Sequence, residues 1–101
     1  MMYIYAMASS KDAERNIYKV GESELLSGVE ARREELDTHY DEIHTHAIWS
    51  LNDVNHIKCD HIVHKHFKES RLRKNREWLN VPLEEIDTAV RLIFSNVSRI
   101  M

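Results

Sequence analysis

Two short apolar runs open this chain, and helical periodicity dominates much of the remainder. Tyr3-Ile4-Tyr5-Ala6-Met7 predicts a strand; after the polar stretch Ser9 to Arg15, the run Ile17-Tyr18-Lys19-Val20 predicts a second, ending at Gly21. The two are close enough in sequence to pair as a hairpin with a long loop. Ser27 and Glu30 have the spacing of a capping box and predict a helix from about Gly28 to Thr38. Ile43 to Leu51 sets His44, His46 and Ile48 against Ile43, Thr45, Ala47 and Trp49, which predicts a third strand. Asn52 and Asp53 can cap a central helix reaching about Phe67, on which His56, Asp60, Val63, His64 and Phe67 share one sector. Glu77-Trp78-Leu79 reads as part of a connector to Pro82, which can begin a last helix because its missing amide proton is not needed there. Ile86, Ala89, Val90, Ile93, Val97 and Ile100 continue that helix as one apolar stripe. The expectation is an α+β fold with a small central antiparallel three-stranded sheet flanked by helices.

Composition narrows the class. The chain has 101 residues, room for one domain spanning 1–101 with one modest core. Its 43% apolar and 31% charged residues, with two glycines and one proline, are those of a folded globular protein. The single cysteine, Cys59, offers no internal disulfide, and the opening residues carry neither a basic leader nor a long apolar core, so the cytoplasm is the expected location. No run reaches the roughly 20 apolar residues that cross a bilayer, and no membrane partner is expected.

The formal charge of -3 argues weakly against a nucleic-acid partner until its distribution is considered. Between Lys65 and Arg76 six lysines and arginines face only Glu69, on an otherwise acidic body. Such a patch suits a phosphate backbone, although a solvated connector beside a helix end has the same composition.

Candidate chemistry gathers on the central helix. His56, Asp60 and His64 lie on successive turns, a spacing that can hold zinc or another divalent ion if His44 or His46 joins from the third strand. The plain alternative is a hydrogen-bonded core histidine beside a solvated or paired acid. Cys59 falls on another sector, and the HExxH pattern of metalloproteases is missing. Tyr5 and Tyr18 suit strand packing, and Lys19 and Arg32 taken alone are ordinary surface charges.

In order along the chain, these pieces together carry more. Tyr3-Ile4-Tyr5, Tyr18-Lys19-Val20-Gly21, Arg32, Asp60-x-x-Val63-His64-x-x-Phe67 and Arg76-Glu77-Trp78-Leu79 resemble the GIY-YIG endonuclease superfamily, closest to its T5orf172 branch related to the MUG113 group. The resemblance covers roughly Met2 to Val90. It implies a small antiparallel sheet flanked by helices, and cleavage of nucleic-acid phosphodiesters with one divalent metal: Mg²⁺, with Mn²⁺ as a substitute and zinc disfavoured. Tyr5 matches the tyrosine of the first motif, Lys19-Val20-Gly21 the second motif, and Arg32 the arginine of the following helix, with Arg33 as the neighbouring alternative. Asp60 stands where the family has its metal-binding glutamate, and His64 and Phe67 match the histidine and aromatic positions. Glu77-Trp78-Leu79 resembles the branch's EWF signature. Tyr3 replaces the opening glycine, Lys19 replaces a tyrosine, and Asp60 is one methylene short of glutamate.

The resemblance implies DNA as the partner, with Asp60 binding Mg²⁺, Arg32 clamping a phosphate oxygen, Lys19 adding charge, and Tyr5 and His64 positioning water or moving a proton. The same substitutions leave open a catalytically weak or inactive relative that binds nucleic acid, a protein partner or a second copy of itself.

Overall fold

The computed structural model describes residues 1–37, 42–52, 58–72 and 75–101, with residues 75 and 76 as backbone alone. Strand β1 (Met2–Ser9) leads into a short helix α1 (Ser10–Glu14), where the Ser9 hydroxyl accepts from the Asp12 amide at 3.1 Å. Asn16, with φ 59°, turns the chain into β2 (Ile17–Ser23). Helix α2 (Leu26–Asp37), strand β3 (Ile43–Leu51) and helix α3 (Cys59–His66) come next. A single 3₁₀ turn precedes β4 (Arg71–Leu72), β5 (Asn75–Asn80), helix α4 (Leu83–Ile93) and β6 (Val97–Arg99).

The sheet has six antiparallel strands in the order β4-β5-β2-β1-β3-β6, which corrects the three-stranded expectation. The first three strands are where the pattern placed them, and β1 and β2 do form a hairpin, with Tyr5 opposite Gly21. The missing strands come from segments read otherwise. Glu77-Trp78-Leu79 is not a connector but the middle of β5, held along β2 with Lys19 opposite Trp78. Val97 is not a helical position: α4 ends at Ile93, Asn96 adopts φ 53°, and the reversed chain pairs as β6 with Trp49 to Leu51.

Two smaller expectations also shift. Helix α2 starts before Ser27, and the hydroxyl of Ser23 accepts from the Leu25 amide at 3.2 Å in place of the capping box. The central helix is described only from Cys59; its expected start at Asp53 and the metal candidate His56 lie outside the described residues, as does the expected end of α2 at Thr38.

Side chains alternate across a strand, so each strand feeds two faces. Ile4, Ala6 and Ala8 of β1 join Val20, Trp49, Val63, Leu79, Ile86 and Val90 in the core under α3 and α4. Tyr5 and Met7 face the other way, against Val29 and Leu36 of α2 and Ile48 of β3. Trp49 ties the first layer together: it is fully buried, and its Nε1–H donates to Asp87 Oδ1 of α4 at 2.8 Å. Burial works against the charge of Asp87, but that hydrogen bond and the Arg91 guanidinium outweigh it and hold the carboxyl below its ordinary value.

Candidate functional site

Strand β2 is covered unevenly. Its register with β5 ends at Lys19 opposite Trp78, whereas β1 continues alongside it to Ser23. Beyond Lys19 the sheet therefore has a notch, and groups from both faces meet there. The Val20 carbonyl on this open edge is taken by His64 of α3, whose Nε2–H donates to it at 2.7 Å. That bond assigns the tautomer: a carbonyl only accepts, so Nε2 carries the proton and Nδ1 is left with its lone pair. Nδ1 is buried and has no hydrogen-bond partner among the described residues. Burial, above all, lowers the pKa of His64 and keeps the ring neutral.

From the α2 face come Tyr5 and Arg32. The Tyr5 phenol is within hydrogen-bonding reach of the Arg32 guanidinium, and since arginine has no acceptor the phenol oxygen must accept. Burial raises the Tyr5 pKa, more than Arg32 lowers it, so the hydroxyl keeps its proton and can donate it in a further hydrogen bond. The charges of Glu77 and Asp60 add smaller upward shifts to the Tyr5 hydroxyl. Arg33 points elsewhere: it pairs with Glu30 at 2.7 Å and donates to the Ile43 carbonyl at 3.2 Å. Of the two candidate arginines, Arg32 is thus the one beside Tyr5.

Gly21 makes this packing possible. It lies directly across from Tyr5, and a Cβ there would meet Tyr5 Oη at 2.3 Å and Cζ at 2.5 Å. The ring is clamped in the α2 core at 3% exposure and has little room to yield. Gly21→Ala is expected to cost about 1–3 kcal/mol, read as a lowered denaturation midpoint, and to push the hydroxyl away from Arg32.

Lys19 is buried to 8% side-chain exposure and forms an ion pair with Glu77 of β5. The contact is not legible in the sequence, because it depends on β5 lying along β2.

From the α3 face come Asp60 and one residue that sequence reasoning missed, Glu22. Alternation along β2 sends Glu22 to the same side as Tyr18 and Val20, toward α3. Its carboxyl accepts from the backbone N–H groups of Cys59 and Lys58, serving as the cap that Lys58 (φ 75°) does not supply from its own side chain. The Asp60 carboxyl is within hydrogen-bonding reach of it. Burial first, and the neighbouring Asp60 second, push Glu22 up to about 7.

A raised carboxyl pKa has a definite sign. The stabilisation it provides is complete below the ordinary value of 4.5 and is lost as pH rises through about 7. In metal-free buffer, Glu22→Gln is therefore expected to gain thermal stability relative to the native protein as pH goes from about 5 to 8. The lowered His64 works in the opposite direction, but it is common to both proteins and drops out of the difference. Parallel melting curves across that range check this; a difference that does not change with pH contradicts it.

Buried oxygens Asp60 Oδ1 and Glu22 Oε2 have no donor among the described residues. Hard carboxylate oxygens of this kind fit Mg²⁺ or Mn²⁺, which take oxygen ligands and retain several waters. Among the described residues no three His, Cys, Asp or Glu side chains gather as a metal-binding group. His46, a zinc candidate by its sequence position, instead donates through Nε2 to the Ala8 carbonyl at 3.2 Å and stands edge-on to Tyr18. His44 stands edge-on to His46.

An open groove of about 480 Å³ adjoins the notch, lined by His61, His64, Lys65, Lys68, Arg71 and Glu77. It contains the first half of the basic stretch; Arg73 and Lys74 lie outside the described residues, as does the side chain of Arg76.

The T5orf172 domain model matches residues 2–94, and the chain belongs to that family, part of the GIY-YIG superfamily. Neither the curated proteins nor the solved structures contain a significant match to it. No helix among the described residues is long and apolar enough to cross a membrane.

Proposed function

We propose that this chain hydrolyses phosphodiester bonds of DNA with the help of one divalent ion, Mg²⁺ or Mn²⁺. The observations that support the proposal lie on three consecutive residues of β2: His64 binds the Val20 carbonyl, the Tyr5 hydroxyl, beside Arg32, packs on Gly21, and the Asp60 carboxyl is next to that of Glu22. Asp60 would hold the ion, which supplies positive charge to the phosphoryl oxygens and acidifies a bound water. Arg32 donates to a non-bridging oxygen as charge builds on it, in a fixed fork that suits phosphate. Tyr5 donates its hydroxyl hydrogen to the water or the phosphate, and its oxygen is already held by Arg32. His64 Nδ1, neutral and unprotonated, would accept the proton that the attacking water gives up as its oxygen bonds to phosphorus, while the bond to the leaving oxygen breaks and that oxygen takes a proton from solvent. Lys19, held by Glu77, adds positive potential, and Lys65, Lys68 and Arg71 seat the flanking backbone, which makes binding salt-dependent.

Cleavage of supercoiled, linear, branched and single-stranded DNA with Mg²⁺ or Mn²⁺, and with EDTA, tests the proposal. Metal-dependent cleavage of any of these supports it, and a folded protein that cleaves none overturns it. The second reading, a nucleic-acid- or protein-binding regulatory domain without cleavage, is favoured by the burial of Tyr5 and the tying of Lys19 to Glu77.

A further inference from the structure

We infer that Glu22 is a second metal ligand, so that the divalent ion is held between two carboxylates, one from β2 and one from α3. The inference rests on the nuclease reading only in expecting an ion at Asp60; the role of Glu22 comes from the contacts of this chain.

Two carboxyl groups within hydrogen-bonding reach of each other repel when both are charged, and here neither has an ion-pair partner among the described residues. Asp60 is 6% exposed, with Oδ1 unpartnered and the Glu22 carboxyl beside it. A buried acceptor without a donor is costly, and a cation between the two groups removes both the repulsion and the orphaned oxygens. The positions are fixed from behind. Glu22 is held by the amides of Lys58 and Cys59 at the start of α3, and Asp60 is the second residue of that helix. Tyr5 packs on Gly21, the residue next to Glu22 along β2. Two carboxylates with waters completing the shell match hard divalent ions that take oxygen ligands.

The competing role for Glu22 is that of a helix cap and nothing more. Glutamine keeps the cap, since its amide oxygen can accept the same two N–H groups, but it is a far poorer ligand. Mn²⁺ alone is the probe, with free ion followed by its electron paramagnetic resonance signal as protein is added. The native protein is expected to bind one Mn²⁺, Glu22→Gln at least about tenfold more weakly, and Asp60→Asn more weakly still. Because the ion would join α3 to β2, Mn²⁺ is also expected to raise the melting temperature of the native protein and to do so less for Glu22→Gln. That second measurement establishes that the variant is folded.

Unchanged Mn²⁺ affinity in folded Glu22→Gln, with loss in Asp60→Asn, overturns the role of Glu22 and leaves the nuclease reading intact. Glu22-dependent binding without DNA cleavage supports the two-carboxylate site and removes the nuclease reading instead. No Mn²⁺ binding by the native protein overturns the inference.

Discussion

Arg32→Ala is expected to lower phosphodiester cleavage by about 10²–10³-fold while leaving the fold intact, because a positioned donor to a developing oxyanion contributes about that much. Its side chain is 45% exposed and its structural contacts are few, a bond to Glu35 at 3.1 Å and the reach to Tyr5, so little stability depends on it. Arg32→Lys is expected to recover only a small part of the rate. Lysine keeps the charge but loses the planar fork that can hold the Tyr5 oxygen and a phosphate oxygen together. Arg33→Ala gives the opposite result. Arg33 is engaged by Glu30, Asp37 and the Ile43 carbonyl, so its loss weakens the junction of α2 with β3 and leaves the rate per folded molecule near native. Single-turnover cleavage with excess protein separates the cases, and equal losses for Arg32→Ala and Arg33→Ala would contradict the assignment of Arg32.

Trp49→Ala carries the largest expected stability effect. The indole is fully buried in the core under α3 and α4, it donates to Asp87, and the Arg99 guanidinium of β6 lies 5.8 Å from its ring centre. Truncation leaves a large cavity and an Asp87 carboxyl deprived of its buried donor, at a cost of about 3–5 kcal/mol. Domains of this size have about 5–15 kcal/mol in total, so the variant should melt more than about 12 °C lower or fail to accumulate. Trp49→Phe is the informative partner. It keeps much of the packing and loses chiefly the Nε1–H bond, and Asp87 retains Arg91 at 3.0 Å, so a smaller loss of about 1–2 kcal/mol is expected. Chemical denaturation measures both. Similar losses for the two replacements would mean that the hydrogen bond, rather than the packed volume, dominates.

The parts of the fold that could be read in the sequence are those whose pattern is local. Ile43 to Leu51 forms a strand over that span because its alternation is long and its flanks are polar. Asp60 and His64 fall on the same turn-to-turn line because i and i+4 residues always do, whatever the helix packs against. The last strand was hidden for the opposite reason. Val97 and Ile100 continue the helical spacing of Ile86 to Ile93, and the break is made by Asn96 in a left-handed conformation without a glycine or proline to mark it. Trp78 and Leu79 form too short an apolar run, beside too many charges, to announce a strand. Glu22 could not be found from its neighbours in sequence. Its contacts with Lys58, Cys59 and Asp60 exist because β2 extends past its pairing with β5 and the start of α3 lies against that extension, a relation between distant segments. The one local hint was parity, since Glu22 shares the strand face of the apolar Tyr18 and Val20.

The most direct test of the central claim is cleavage of supercoiled plasmid by the native protein and by Asp60→Asn, each with Mg²⁺ and each with EDTA. Nicked or linear product is expected only from the native protein with metal. Equal cleavage by folded Asp60→Asn in Mg²⁺, or cleavage by the native protein that persists in EDTA, would contradict it.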